Sequence, residues 1–201
     1  MKIKAFFIVS IYCFMNISFG QKSAEVMQLP YQQIPDYPED FTSGNIIVRF
    51  IDGLGYRYYW ATEGLTEKDL IYTPSEEGRS MLQTLVHIYE LSKAILNAPQ
   101  NLPNLRNTKK TELTFEELRK HTLLNLEKSS RLLAGKSSDS IADYKVIFKS
   151  EKNQREFPYW NMINGQLSDA IYHVGQIVSF RRSNGNPMHP KVNVFLGTTK
   201  L

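Results

Sequence analysis

Trp160–Arg182 (WNMINGQLSDAIYHVGQIVSFRR) limits the possible folds more than any other stretch. Its apolar residues Ile163, Leu167, Ala170, Ile171, Val174, Ile177 and Val178 recur at helical spacing. That spacing predicts a helix with one buried face. At about 100° per residue, Asp169 and His173 fall along one edge of the stripe. Four residues apart, they are neighbours on the helix surface. A carboxylate and an imidazole there suit two metal ligands. They equally suit a hydrogen-bonded core pair, and D-x-x-x-H spacing alone does not separate the two.

Three more amphipathic segments are present. The first is expected over residues 43–63, with Ser43 as N-cap and Ile47, Phe50, Ile51, Leu54 and Tyr58 at helical spacing. Gly53 and Gly55 weaken this helix but allow close packing, and Gly64 stops it. Thr66–Asp69 reads as a capped short turn. Pro74 and Ser75 then open a helix over residues 75–97. Arg79, Gln83, Glu90, Lys93 and Asn97 lie on one side of it, and Met81, Leu85, Ile88 and Ile95 on the other. His87 falls at the margin, where a boundary histidine is the commoner outcome. Residues 97–111 read as a polar loop with two prolines.

Thr114-x-x-Glu117 is a capping box that opens a helix over residues 114–134. His121 sits among its charged residues and reads as solvated. Tyr144, Val146 and Phe148 alternate before the polar turn 150–155, which predicts a hairpin or extended cover. The last helix, residues 160–182, ends at Ser183–Pro187. Residues 188–201 form an extended tail with a small apolar cluster, Val192, Val194, Phe195 and Leu196. The expected fold class is all-α: a four-helix bundle with a short β-hairpin or extended segment before the last helix.

Residues 1–20 read differently from the rest. Lys2 and Lys4 precede an apolar run from Ala5 to Phe19, with small residues before Gln21. This is the pattern of a cleaved signal peptide and implies export, periplasmic or secreted. The run is near the lower limit for a membrane span, so an uncleaved anchor is the alternative. Residues 21–42, rich in Pro, Gln and acid, form an extended, poorly ordered lead-in. Residues 43–201 make up the domain.

Cleavage would remove two lysines and no acid, so the net charge of +4 falls to +2. No basic block with interleaved aromatics stands out, and nucleic-acid binding is not expected. Nor is stable membrane association after cleavage. Cys13 is the only cysteine, so a cleaved chain has no thiolate nucleophile, disulfide or cysteine-based metal site.

With the segments placed, the chain resembles the DinB/YfiT-like superfamily of four-helix-bundle proteins across residues 43–182. The resemblance is carried by QTLVHIYELS around His87 and by DAIYHVGQIVSFRR around Asp169 and His173. In that family a histidine on the second helix joins two more spaced H-x-x-x-H before an R-G-Q or similar triplet. His87 matches the first and His173 the last, while Asp169 stands where the family has histidine. The resemblance implies a divalent metal held by His87, Asp169 and His173: zinc first, with nickel, manganese or iron as alternatives. Two histidines and a carboxylate remain a competent set.

Two functions follow. One is a metal-dependent enzyme acting on a small-molecule substrate. A hydrolase fits an exported chain better than a thiol-dependent transferase, which the resemblance also allows. Glu90, Tyr59 and Gln176 are candidates for a nearby acid or orienting group. The other is a non-catalytic exported binding module that kept the bundle. Asp169 in place of histidine and the aromatic run Tyr56, Tyr58, Tyr59, Trp60 point that way. A homodimer is compatible with either.

Overall fold

The computed structural model describes residues 28–105 and 111–201. The expected signal segment lies outside the described residues. Helix α1 spans Ser43–Thr62. Its N-cap is Thr42, one residue earlier than expected, whose hydroxyl accepts from the Asn45 N–H at 3.1 Å. The short α2 follows at Glu67–Leu70. Helix α3 covers Met81–Asn97, not residues 75–97. The start is later because Ser80 and Gln83 form a capping box there, with Ser80 N–H donating to Gln83 Oε1 at 2.8 Å. Pro74 and Ser75 belong to the turn that precedes it.

Helix α4 spans Phe115–Leu133 behind the Thr114/Glu117 capping box, and α5 is a single turn, Ser138–Ala142. The last helical stretch begins as α6, Trp160–Met162, passes through a π-turn at Ile163–Leu167, and continues as α7, Ser168–Ser183. The long helices pack in pairs: α1 against α4 and α7, and α3 against the same two. Their inward faces carry the core, including Ile51, Leu54, Leu85, Ile95, Leu126 and Ile177.

The expected hairpin is present. Strands β2 (Lys145–Lys149) and β3 (Gln154–Pro158) pair antiparallel, with Phe148 opposite Arg155. A third strand, β1 (Pro103–Leu105), joins parallel to β2 inside the segment expected as a plain loop. Three residues, Pro-Asn-Leu, give no period-2 pattern, so only pairing with β2 reveals this strand.

The described part of the lead-in, residues 28–42, is extended but anchored. Tyr31 is buried, and its hydroxyl donates to the buried Asp52 Oδ1 at 3.0 Å. Gly55 makes room for that ring: a Cβ there would sit 2.5 Å from it. Burial pushes the Asp52 carboxyl above its usual range. The tail closes over the same end through β4 (Val192–Asn193) and β5 (Thr198–Thr199). Its expected apolar cluster does not form. Val194, Phe195 and Leu196 are exposed, because the tight turn between the two strands points them outward. Tyr56, Tyr58, Tyr59 and Trp60 are all core residues, so the aromatic run serves packing. Among the described residues no helix is long and apolar enough to cross a membrane.

Candidate metal centre

His87 comes from the middle of α3, and Asp169 and His173 from the first turns of α7. The helices bring them together. Asp169 Oδ2 lies 3.2 Å from His87 Nε2, and Oδ1 lies 3.2 Å from His173 Nε2. The imidazoles meet edge to face, with centroids 4.6 Å apart. One donor atom from each residue lies within 4.8 Å of the others. All three residues of the sequence expectation therefore converge.

His173 does not sit at the edge of the buried face, as a uniform helix predicts. It is buried within that face. The cause is the π-turn, which inserts an extra residue into the helical turn before Ser168. Met162 and Leu167, five apart, both point inward, and after them the buried row is Ala170, His173, Val174, Ile177 and Arg181. Ile171 and Val178 become peripheral. Asp169 moves to the rim. The side chains of His87, His173 and Asp169 are 31%, 10% and 43% exposed, so the cluster is dry on one side and open on the other.

Burial lowers the affinity of His87 for a proton. The neighbouring His173 and Arg79 act in the same direction, while Asp169 opposes them, and the net shift is downward. A neutral imidazole is the form that ligates metal.

Gln176, one turn beyond His173, sets that ring. Its Oε1 lies 2.8 Å from His173 Nδ1. With the amide so oriented, Nδ1–H donates and Nε2 carries a lone pair. That lone pair then faces a carboxylate oxygen at 3.2 Å. In that tautomer a cation, a metal ion or a proton, fits between the two; in the other tautomer Nε2–H donates to the carboxylate.

Of the other candidates, Glu90 lies farther along α3. Its two oxygens accept from Lys93 Nζ at 2.7 Å and Thr111 Oγ1 at 2.9 Å. Tyr59 is away from the centre, under the lead-in, accepting from Gln32 Nε2 at 3.0 Å. His121 is exposed, as expected. Gln166, in the π-turn, was not anticipated. Its Oε1 is buried and has no hydrogen-bond partner among the described residues.

A second polar cluster, also not anticipated, lies at the far end of α7. Arg181 is 3% exposed. Its guanidinium donates to the backbone carbonyls of Trp60, Ala61 and Glu63 at the end of α1, and to Asn186 and Pro187 in the following loop. Asp69 accepts from Thr66, Asn184 and Asn186. Burial raises its carboxyl, but these hydrogen bonds outweigh it and hold the group at about 2. The only available signal was R-R before S-N-G-N-P, which reads as an ordinary helix stop.

Among solved structures, the fold is similar to a DinB-like protein, YjoA, from Bacillus subtilis. The TM-score is 0.54 and the identity 15%, covering 72% of this chain and 96% of that one. No family model matches the sequence, and no curated protein is significantly similar to it. At that identity the likeness is one of fold. The chain has the DinB/YfiT-like fold.

Proposed function

We propose that this chain is a metal-dependent enzyme on a DinB-like four-helix bundle, with His87, Asp169 and His173 as ligands of one divalent ion. The observation that carries this reading is the convergence of His87, Asp169 and His173, one ligand atom of each lying within 4.8 Å of the others. Ligand distances of about 2.0–2.2 Å put donor atoms about 3.4 Å apart, so the 3.2 Å Asp169 contacts already fit and the widest separation closes by about 1 Å. Zinc suits two imidazoles and one carboxylate; nickel, manganese or iron are the alternatives.

The metal would supply Lewis acidity and an activated water. The chain's own residues do the rest. Gln176 holds the His173 tautomer, the core behind His173 keeps that side dry, and half-exposed Asp169 leaves the other side open to a small molecule. Hydrolysis is the reaction class we assign. No cysteine lies in residues 21–201, and no serine is hydrogen-bonded to a histidine among the described residues. The basic-apolar-small pattern of residues 1–20 supports export, so we place this chemistry outside the cytosol. Mass spectrometry of fractionated cells should find a chain starting near Gln21; intact Met1 in the cytosol would refute export.

The test of the centre is elemental analysis of purified protein. One metal per chain is expected, and His87→Ala should lose it while circular dichroism stays helical. If wild-type protein takes up no metal after incubation with zinc, nickel, manganese or iron, the enzyme reading fails. The Asp169 contacts to both histidines are then ordinary hydrogen bonds in a binding module.

A further inference from the structure

A groove of about 1230 Å³ begins at His87 and runs between α3 and the three-stranded sheet. Its helical wall is His87, Glu90, Leu91, Ala94 and Asn97, one face of α3 by spacing. Its other wall is one face of the sheet. Register sets Asn104 opposite Phe148, and Phe148 opposite Arg155, so these three stand in a row across the strands. Phe157 is on the same face and meets Phe148 edge to face, centroids 6.1 Å apart. The sheet thus offers a pair of aromatic rings with a guanidinium beside them.

The charges in the groove are not balanced. Glu90 is engaged by Lys93 and Thr111. Arg155 and Lys149 form no ion pair with described residues, and Glu112 is the one other acid on the described lining. Among the described lining residues two unpaired cations stand against one unpaired carboxylate, and Arg155 is the cation on the same face as the rings, which favours an anion there. Half-exposed aromatic rings favour a flat apolar body. At the His87 end, Gln166 presents a buried acceptor with no donor among the described residues.

We infer that the groove is the substrate site of the proposed metal centre, and that it takes small carboxylates with an aromatic body. The carboxylate pairs with Arg155 and the ring packs on Phe148 and Phe157. The far end of the molecule is thereby presented to His87. This inference rests on the metal reading for its chemistry but not for its binding. A guanidinium–carboxylate pair is planar and bidentate, so Arg155 carries more of the recognition than Lys149.

The experiment is calorimetric titration of wild-type protein with 4-phenylbutyrate and with the neutral analogue 4-phenylbutanol. Each is run on zinc-loaded and on chelator-treated protein. The acid should bind at least about 10-fold more tightly than the alcohol, in both metal states. Arg155→Gln should remove that difference, and Phe148→Ala should weaken both probes, with zinc content unchanged in each variant. Arg155 is exposed on β3, so its loss does not threaten the fold, and circular dichroism checks this. The inference is overturned if wild type shows no saturable binding at millimolar 4-phenylbutyrate. It is also overturned if Arg155→Gln binds the acid as wild type does. Binding abolished by zinc removal yet indifferent to Arg155 would mean that the carboxylate sits on the metal. In that case the metal reading stands and the groove reading falls. A chain that never takes up zinc but still discriminates acid from alcohol through Arg155 would do the converse: the groove stands as a binding site and the metal centre falls.

Discussion

The two ends of α7 carry two polar clusters of opposite character. At the C-terminal end, Arg181 is enclosed and its donors are taken up by carbonyls of α1 and the 184–187 loop. Asp69, in the same cluster, is equally well satisfied. At the N-terminal end, Asp169 is 43% exposed and one carboxylate serves two imidazoles. A buried polar cluster whose members satisfy one another holds structure together. A cluster of metal-ligating side chains open to solvent on one side is where a ligand or ion can enter. The same helix thus has a structural end and, on the metal-centre proposal, a reactive end.

That contrast can be broken most forcefully at Arg181. Arg181→Met leaves the α1 carbonyls of Trp60 and Ala61 unpaired in the interior, and that of Glu63 at its margin. It should cost about 3 kcal/mol or more. For a chain of this size that lowers Tm by roughly 10 °C, readable by thermal denaturation. Molecules that still fold should bind metal normally. If Arg181→Met instead left Tm unchanged, the structural assignment of that end would fail.

At the reactive end the order should reverse, with small effects on Tm and large ones on metal. Asp169→Ala should reduce zinc affinity by about 100-fold or more, beyond the loss typical of a group behind the ligands. Asp169→His should keep or tighten it, since it restores the three-histidine pattern. Competition with a chromophoric chelator measures both. Gln176→Leu removes the acceptor that fixes the His173 tautomer, and a loss of about 10-fold is expected. An affinity identical to wild type would show that Gln176 does not orient the ring.

The smallest effect concerns acid. Asp69 is held at about 2, below its ordinary 3.8. A depressed carboxyl contributes stability that is complete above about pH 4 and is lost as pH falls toward 2. After allowance for solvent screening, the contribution is about 1 kcal/mol. Asp69→Asn should lower stability by that amount at neutral pH and flatten its decline below pH 4. Urea titrations at pH 7 and pH 3 would read both.

Much of the molecule is written locally. The capping box of α4, the breaks at Gly64 and after Ser183, and the β2–β3 hairpin are all i to i+4 or period-2 features. The pairing of Asp169 with His173 is of the same kind, because one turn of helix guarantees it. His87 was legible only as a histidine at a helix margin. Its arrival beside Asp169, across 82 positions of chain, depends on α3 packing against α7. Spacing within a segment carries no information about such a meeting.

The tertiary structure alone decided the rest. The π-turn moved His173 from the edge of a stripe into the buried face, a rotation that a uniform wheel cannot represent. Strand β1 exists because β2 offers it hydrogen bonds, not because Pro103–Leu105 favours extension. Arg181 reads as a surface cation until α1 ends beside it and its carbonyls need donors. Sequence by itself determined where the four long helices lie, to within a few residues, and which of their residues could ligate; the start of α3 at Met81 and the turn α5 were not legible. Folding decided which of those residues lose water, because desolvation depends on what packs against a side chain from elsewhere in the chain.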